Sequence, residues 1–102
     1  MRNGKKQLLR KWFLMTCRIE RLASGDNMVV LLVSGRLQLE HVETIKELLG
    51  EECRGAMLDL VEVTLVDREV VTFLAACELK GIELRNCPAF LREWITPEQS
   101  RD

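Results

Sequence analysis

Two short apolar runs, "MVVLLVSG" (Met28–Gly35) and "AMLDL" (Ala56–Leu60), bracket a segment of helical period, "LEHVETIKELLGEE" (Leu39–Glu52). This alternation constrains the fold more than any other feature. Each run is too short for a helix and suits a buried strand. In the bracketed segment Val42, Ile45 and Leu49 recur at three- and four-residue intervals and make one apolar stripe, while the acids and Lys46 face water. Gly50 reads either as a stop or as a flexible point near the helix end. Strand, crossover helix and strand together imply a parallel, right-handed pairing.

The pattern repeats downstream. "DREVVTFLAACELKG" (Asp67–Gly81) is a second helix, with Asp67 at its N-cap position and Gly81 closing it. "IELR" (Ile82–Arg85) is a short strand. "PAFLREWI" (Pro88–Ile95) is a last helix with Pro88 in its first turn and Phe90, Leu91 and Trp94 or Ile95 inside. Upstream, "CRIERL" (Cys17–Leu22) alternates like a strand, and "ASGDN" (Ala23–Asn27) is turn chemistry. With Met28–Gly35 it forms an antiparallel hairpin. The continuous apolar character of Met28–Gly35 predicts a central strand covered on both faces. The expected class is α/β, in the order β-β-α-β-α-β-α. It has a mixed four-stranded sheet with helices packed on it, and the hairpin supplies one edge.

With 102 residues the chain suits one domain. Residues 15–96 are expected to form it, residues 1–14 a flexible basic extension, and residues 97–102 a frayed tail. Charge divides unevenly. Residues 1–21 hold seven Lys/Arg and one acid (+6), and residues 22–102 hold eight Lys/Arg and fifteen acids (−7), which sum to the net −1. An acidic body argues against nucleic acid as a partner. No apolar run approaches the ~20 residues of a membrane span. "WFLM" is too short for the apolar core of a signal peptide. Leu8, Leu9, Trp12 and Phe13, interleaved with cations, leave a membrane-surface contact as the alternative for the extension. The four cysteines, Cys17, Cys53, Cys77 and Cys87, form no C-x-x-C pair, and His41 is the single histidine. No metal or other cofactor is expected, and the thiols read as reduced, in a cytoplasmic protein. Cys77 is expected in the core and His41 exposed.

Projected at 100° per residue, the second helix puts Val70, Phe73, Leu74 and Cys77 on one face. Arg68, Thr72, Ala75 and Leu79 fall on the opposite side. An outward stripe of small and apolar residues predicts a docking surface, a second element of the same domain lying over it, or a few apolar residues exposed by chance. Arg68 is odd in itself, because a cation opposes the positive end of the helix dipole.

The segment "MLDLVEVTLVDREVVTFLAACELKGIELRNCPAFLREWI", together with "VSGRL" (Val33–Leu37), resembles the STAS domain family of sulfate transporters and anti-sigma-factor antagonists. The likeness runs from Cys17 to Ile95. It rests on the order of elements and on the "DL…VT..VD" spacing, not on one specific motif. The resemblance implies a non-enzymatic module of the anti-anti-sigma type. Such a module docks a protein partner, an anti-sigma factor or serine kinase, by the start of the second helix. In the family a serine follows the helix-opening Asp, and its phosphorylation stops binding. Here Asp67 matches the family's Asp, Arg68 replaces that serine, Glu69 the next residue, and Val70 the usual glycine. The phosphate switch at position 68 is therefore lost.

The expected partner surface comprises Thr64, Asp67, Arg68, Glu69, Thr72, Ala75 and Leu79. Thr64 in the preceding loop and Thr72 on the helix are the remaining candidates for phosphorylation. Two other readings of the resemblance stay open: a structural STAS subunit of a lipid or anion transport complex, and a small-ligand-binding STAS domain. Catalysis by Asp59, Asp67 and His41 is disfavoured. No nucleophile–base pair or phosphate loop accompanies them, Asp67 is explained as a cap, and Asp59 as a strand-end residue bonding loop amides.

Overall fold

The computed structural model describes residues 8–23, 28–50 and 55–100. The elements run β1 (Leu8–Leu14), β2 (Cys17–Ala23), β3 (Val29–Leu37), α1 (Leu39–Leu49), β4 (Met57–Val66), α2 (Arg68–Leu79), β5 (Glu83–Arg85) and α3 (Ala89–Gln99). The strands form one mixed sheet in the order β1-β2-β3-β4-β5. The pairs β1–β2 and β2–β3 are antiparallel, and β3–β4 and β4–β5 are parallel.

The sheet has five strands where four were expected. The additional one, β1, lies inside the stretch read as an extension, so the expected boundary at residue 15 falls in the β1–β2 turn. The adjacent cations Arg10 and Lys11 mask the alternation of "LLRKWFL". Its strand character comes from pairing, with Leu8 to Leu14 in unbroken register with Ala23 to Cys17. Trp12 and Leu14 pack against the core. Residues 1–7 lie outside the described residues.

β3, β4 and β5 follow one another across the sheet in chain order. Crossovers of one hand therefore put α1 and α2 on the same face. Ile19, Leu31, Val33, Leu58, Leu60 and Leu84 are buried beneath them. Val30, Leu32 and Ser34 of β3 are only half-buried, which corrects the expectation of a strand covered on both faces. The open face carries mixed chemistry: Arg18 opposite Ser34, Glu20 opposite Leu32, and Asp59 opposite Arg85.

β4 runs through Val66, well past the Ala56–Leu60 read from the sequence. Two register shifts against β3 each add one residue to β4. Leu32 pairs with Asp59 but Ser34 with Glu62, and Gly35 pairs with Val63 but Arg36 with Leu65. The bulges turn a period of two into a period near three. Leu60, Val63 and Val66 go inside, and Val61, Glu62, Thr64 and Leu65 go outside. That pattern resembles neither strand nor helix, which is why the sequence suggested a loop. Asp59 accordingly lies inside the strand, where its Oδ1 accepts from the Val61 N–H at 3.1 Å and Asn86 Nδ2 donates to it at 3.3 Å.

α3 is longer than expected and carries the supposed tail residues 97–99. Pro97 removes one helical donor, yet the helix continues because its last turn is tied to α2. Gln99 Nε2 donates to Glu78 Oε1 at 2.7 Å and to the Ala75 carbonyl at 3.4 Å. Leu91 and Ile95 are buried, whereas Phe90 and Trp94 are exposed, so only part of the expected inner face of α3 is inside.

Candidate functional site

The C-terminal ends of β3 and β4 and the first turns of α1 and α2 converge at one end of the sheet. The Asp67 N–H donates to the Leu37 carbonyl at 3.0 Å and the Arg36 N–H to the Thr16 carbonyl at 2.8 Å. Thr16 Oγ1 donates to Gln38 Oε1 at 2.8 Å. The β1–β2 turn, the end of β3 and both helix starts are thus held together by backbone and side-chain bonds. Gly35 makes this possible. Its φ of +92° suits glycine, and a Cβ there would strike the Thr16 carbonyl.

At this end the structure places the expected partner-binding residues unequally. Thr64, Arg68 and Glu69 are exposed, Asp67 is half-buried, and Leu79 is exposed at the far end of α2. Asp67 occupies the N-cap position, but its carboxylate makes no capping hydrogen bond. It faces Arg36 Nη2 at 3.9 Å instead. Thr72 Oγ1 donates to Glu98 Oε2 at 3.2 Å. Ala75 is only 3% exposed. α3 therefore covers that stripe at Ala75, while Arg68, Thr72 and Leu79 stay exposed, so the reading of a second element over that face holds only in part. A helical projection finds a non-polar stripe but not which neighbour lies on it.

Covering that stripe creates a new feature. Arg68 and Val71 of α2, with Glu93, Trp94, Pro97 and Glu98 of α3, line an open groove of about 300 Å³. Trp94 is 53% exposed there. Among the described residues no carboxylate ion-pairs with Arg68, and its neighbour Asp67 faces Arg36. Its lining combines an indole, two further apolar side chains, a guanidinium and two carboxylates, of which Glu98 also accepts from Thr72. Trp94, and Pro97 and Glu98 of the expected tail, were not expected to line a site with Arg68. The one available signal was the unspent half of the amphipathic pattern on α3, with Trp94 adjacent to Ile95.

Thr64 presents its side chain to solvent from β4, two residues before Val66. Thr72, by contrast, faces a carboxylate. A phosphate on Thr72 would place a dianion against Glu98, while one on Thr64 would meet open solvent.

His41 corrects another expectation, being 2% exposed. The Gln38 N–H donates to its Nδ1 at 2.9 Å, so the ring closes the open first turn of α1. Its Nε2 has no hydrogen-bond partner, with Glu40 Oε2 at 3.8 Å. Asp59, Asp67 and His41 belong to three separate networks and are not brought together.

Electrostatics elsewhere centre on the α2–α3 contact. Arg92 donates to both oxygens of Glu78 and holds its carboxyl below the usual range, burial acting in the opposite sense. Burial pushes the Cys17 thiol up to about 11. Cys17 and Cys87 are free thiols. Among the described residues no group of three His, Cys, Asp or Glu is placed to hold a metal, and no helix is long and apolar enough to cross a membrane.

No protein-family model, curated protein or solved structure matches this chain.

Proposed function

We propose that the chain is a non-enzymatic, STAS-like regulatory module that docks a protein partner through the start of α2, in the manner of an anti-sigma-factor antagonist and without a phosphate switch at position 68. The observation that carries this reading is the placement of Arg68. The residue is exposed, no described carboxylate ion-pairs with it, and it lines one groove together with Trp94. A cation at a helix N-terminus works against the dipole, so its presence is better explained by a contact made outside the chain than by the fold. Thr64 and Glu69 flank it on the same exposed end.

The occupant that fits is a protein segment with an apolar side chain next to a carboxylate. The apolar group would lie on Val71, Trp94 and Pro97, and the carboxylate would meet Arg68. Indole and guanidinium side chains are the types that most often dominate interface energetics. An anti-sigma factor or serine kinase, in the cytoplasm, is the partner class the resemblance implies. Because Arg68 cannot carry a phosphate ester, binding would be constitutive unless Thr64 takes over the switch.

Affinity capture with mass spectrometry tests the reading. The wild-type chain is compared with Arg68→Glu and Trp94→Ala, both exposed positions. The expected result is a kinase-like partner retained by the wild type and lost by both variants. Recovery of transporter subunits instead would support the structural-subunit reading. A partner retained by both variants would place the docking surface elsewhere.

A further inference from the structure

We infer that the outer edge of β1 is the seat of a second copy of this chain, two β1 strands pairing antiparallel about a two-fold axis at Trp12. β1 ends the sheet and, among the described residues, pairs only with β2. It is seven residues long, without proline, glycine or bulge, whereas β5 at the other edge has three. A long regular edge offers a row of backbone donors and acceptors to another strand. The chain also leaves apolar surface beside that edge. Phe13 is 73% exposed, and Trp12 is packed on the core but only half-buried.

The sequence of β1 favours one register, the cation-free pairing that uses most of the strand, and one occupant. A pairing centred on Lys11 would set two lysines face to face. Centred on Trp12, it sets Lys11 opposite the second copy's Phe13 and Arg10 level with the second copy's Leu14. No cation of one copy then faces a cation of the other. Within one chain Lys11 already lies opposite Glu20, and Phe13 opposite Arg18, on the open face of the sheet. The two-fold would extend these pairs into a four-residue row: Glu20, Lys11, then Phe13 and Arg18 of the second copy. Charge meets charge at one end and cations meet an aromatic ring at the other. The second such row is its symmetry mate. On the helix-covered face, Ile19 opposite Trp12 continues into Trp12 and Ile19 of the second copy, an apolar row that finishes the burial of both indoles. A perpendicular two-fold keeps the helices of both copies on the same side of one ten-stranded sheet. The match of the strand to itself on both faces favours a second copy over a foreign strand.

Light scattering of the full chain over a dilution series from submillimolar to micromolar should give twice the 11.8 kDa chain mass at the concentrated end. Phe13→Lys, at an exposed position, sets a cation opposite Lys11 on both sides of the axis and should yield a monomer with an unchanged circular dichroism spectrum. The register is read by crosslinking under mild oxidation. A mixture of Lys11→Cys and Phe13→Cys chains should form a disulfide between positions 11 and 13, mapped by peptide mass spectrometry, and neither variant alone should crosslink through its new thiol. A monomer throughout the series would overturn the inference. So would a dimer that survives Phe13→Lys, or one whose mixed thiols do not join.

Discussion

Arg92 and Glu78 form a two-pronged ion pair, Nη1 to Oε1 at 2.8 Å and Nη2 to Oε2 at 2.9 Å, that joins α3 to α2. The pair stands beside Gln99 and so fixes how α3 lies over the outer stripe of α2. Removing the guanidinium by Arg92→Ala should lower stability by about 1 kcal/mol, a modest figure because both side chains are about a third exposed and solvent screens them. The same pair gives a pH dependence. Glu78 has a folded-state pKa below its unfolded value, first because of the Arg92 hydrogen bonds. Its contribution is present above the ordinary carboxylate range and is lost as pH falls through the lowered folded value. Urea denaturation of wild type and Arg92→Ala at neutral and acidic pH should show the difference between them shrinking as the pH drops.

Gly35 approaches the Thr16 carbonyl so closely that a Cβ would clash with it, and its φ is +92°. Gly35→Ala should therefore cost about 1–3 kcal/mol, combining left-handed strain with the displacement of the β1–β2 turn. Gly81 also has a positive φ, but a Cβ there meets open space, so Gly81→Ala should cost less. Thermal denaturation of the two variants side by side checks the ordering.

Asp67 stands at the N-cap without capping. Replacing a working cap by Ala costs about 1 kcal/mol, whereas Asp67→Ala should cost less than about 0.5 kcal/mol, in the range of an ordinary surface change. The remaining contact, at 3.9 Å to Arg36, is exposed and long. Equilibrium unfolding measures it directly, and a cost near that of a true cap would contradict this geometry.

Cys17 is buried under the helices, which raises its thiol from 9.0 to about 11. A thiolate is the reactive form, so iodoacetamide at mildly alkaline pH should leave Cys17 unmodified in the folded chain. Half-buried Cys87 is also raised by burial, but Arg92 pulls it the other way, and it should label before Cys17. The sign for stability follows. The unfolded thiol ionises before the folded one does, so stability is full below 9.0 and declines as pH rises toward 11. Mass spectrometry of labelled peptides across that range reads the order.

Short-range features of the sequence determined most of the elements. Helices α1 and α2, their stops at Gly50 and Gly81, and the buried positions Val42, Ile45, Leu49, Val70, Leu74 and Cys77 follow from periodicity and end chemistry, which act within one or two turns. The exposure of Thr64, Arg68 and Glu69 was also legible there. Tertiary structure alone decided the rest. β1 is a strand because β2 returns beside it, and β4 continues past Leu60 because two bulges fit it to β3. His41 is buried because the turn before α1 needed a group to accept the Gln38 N–H. The groove exists because α3 lies on α2 at Ala75, so that Trp94 and Arg68 line the same space. Each of these outcomes turns on contacts between residues distant along the chain. A local pattern says which faces must be covered, and the packing of the whole chain selects what covers them.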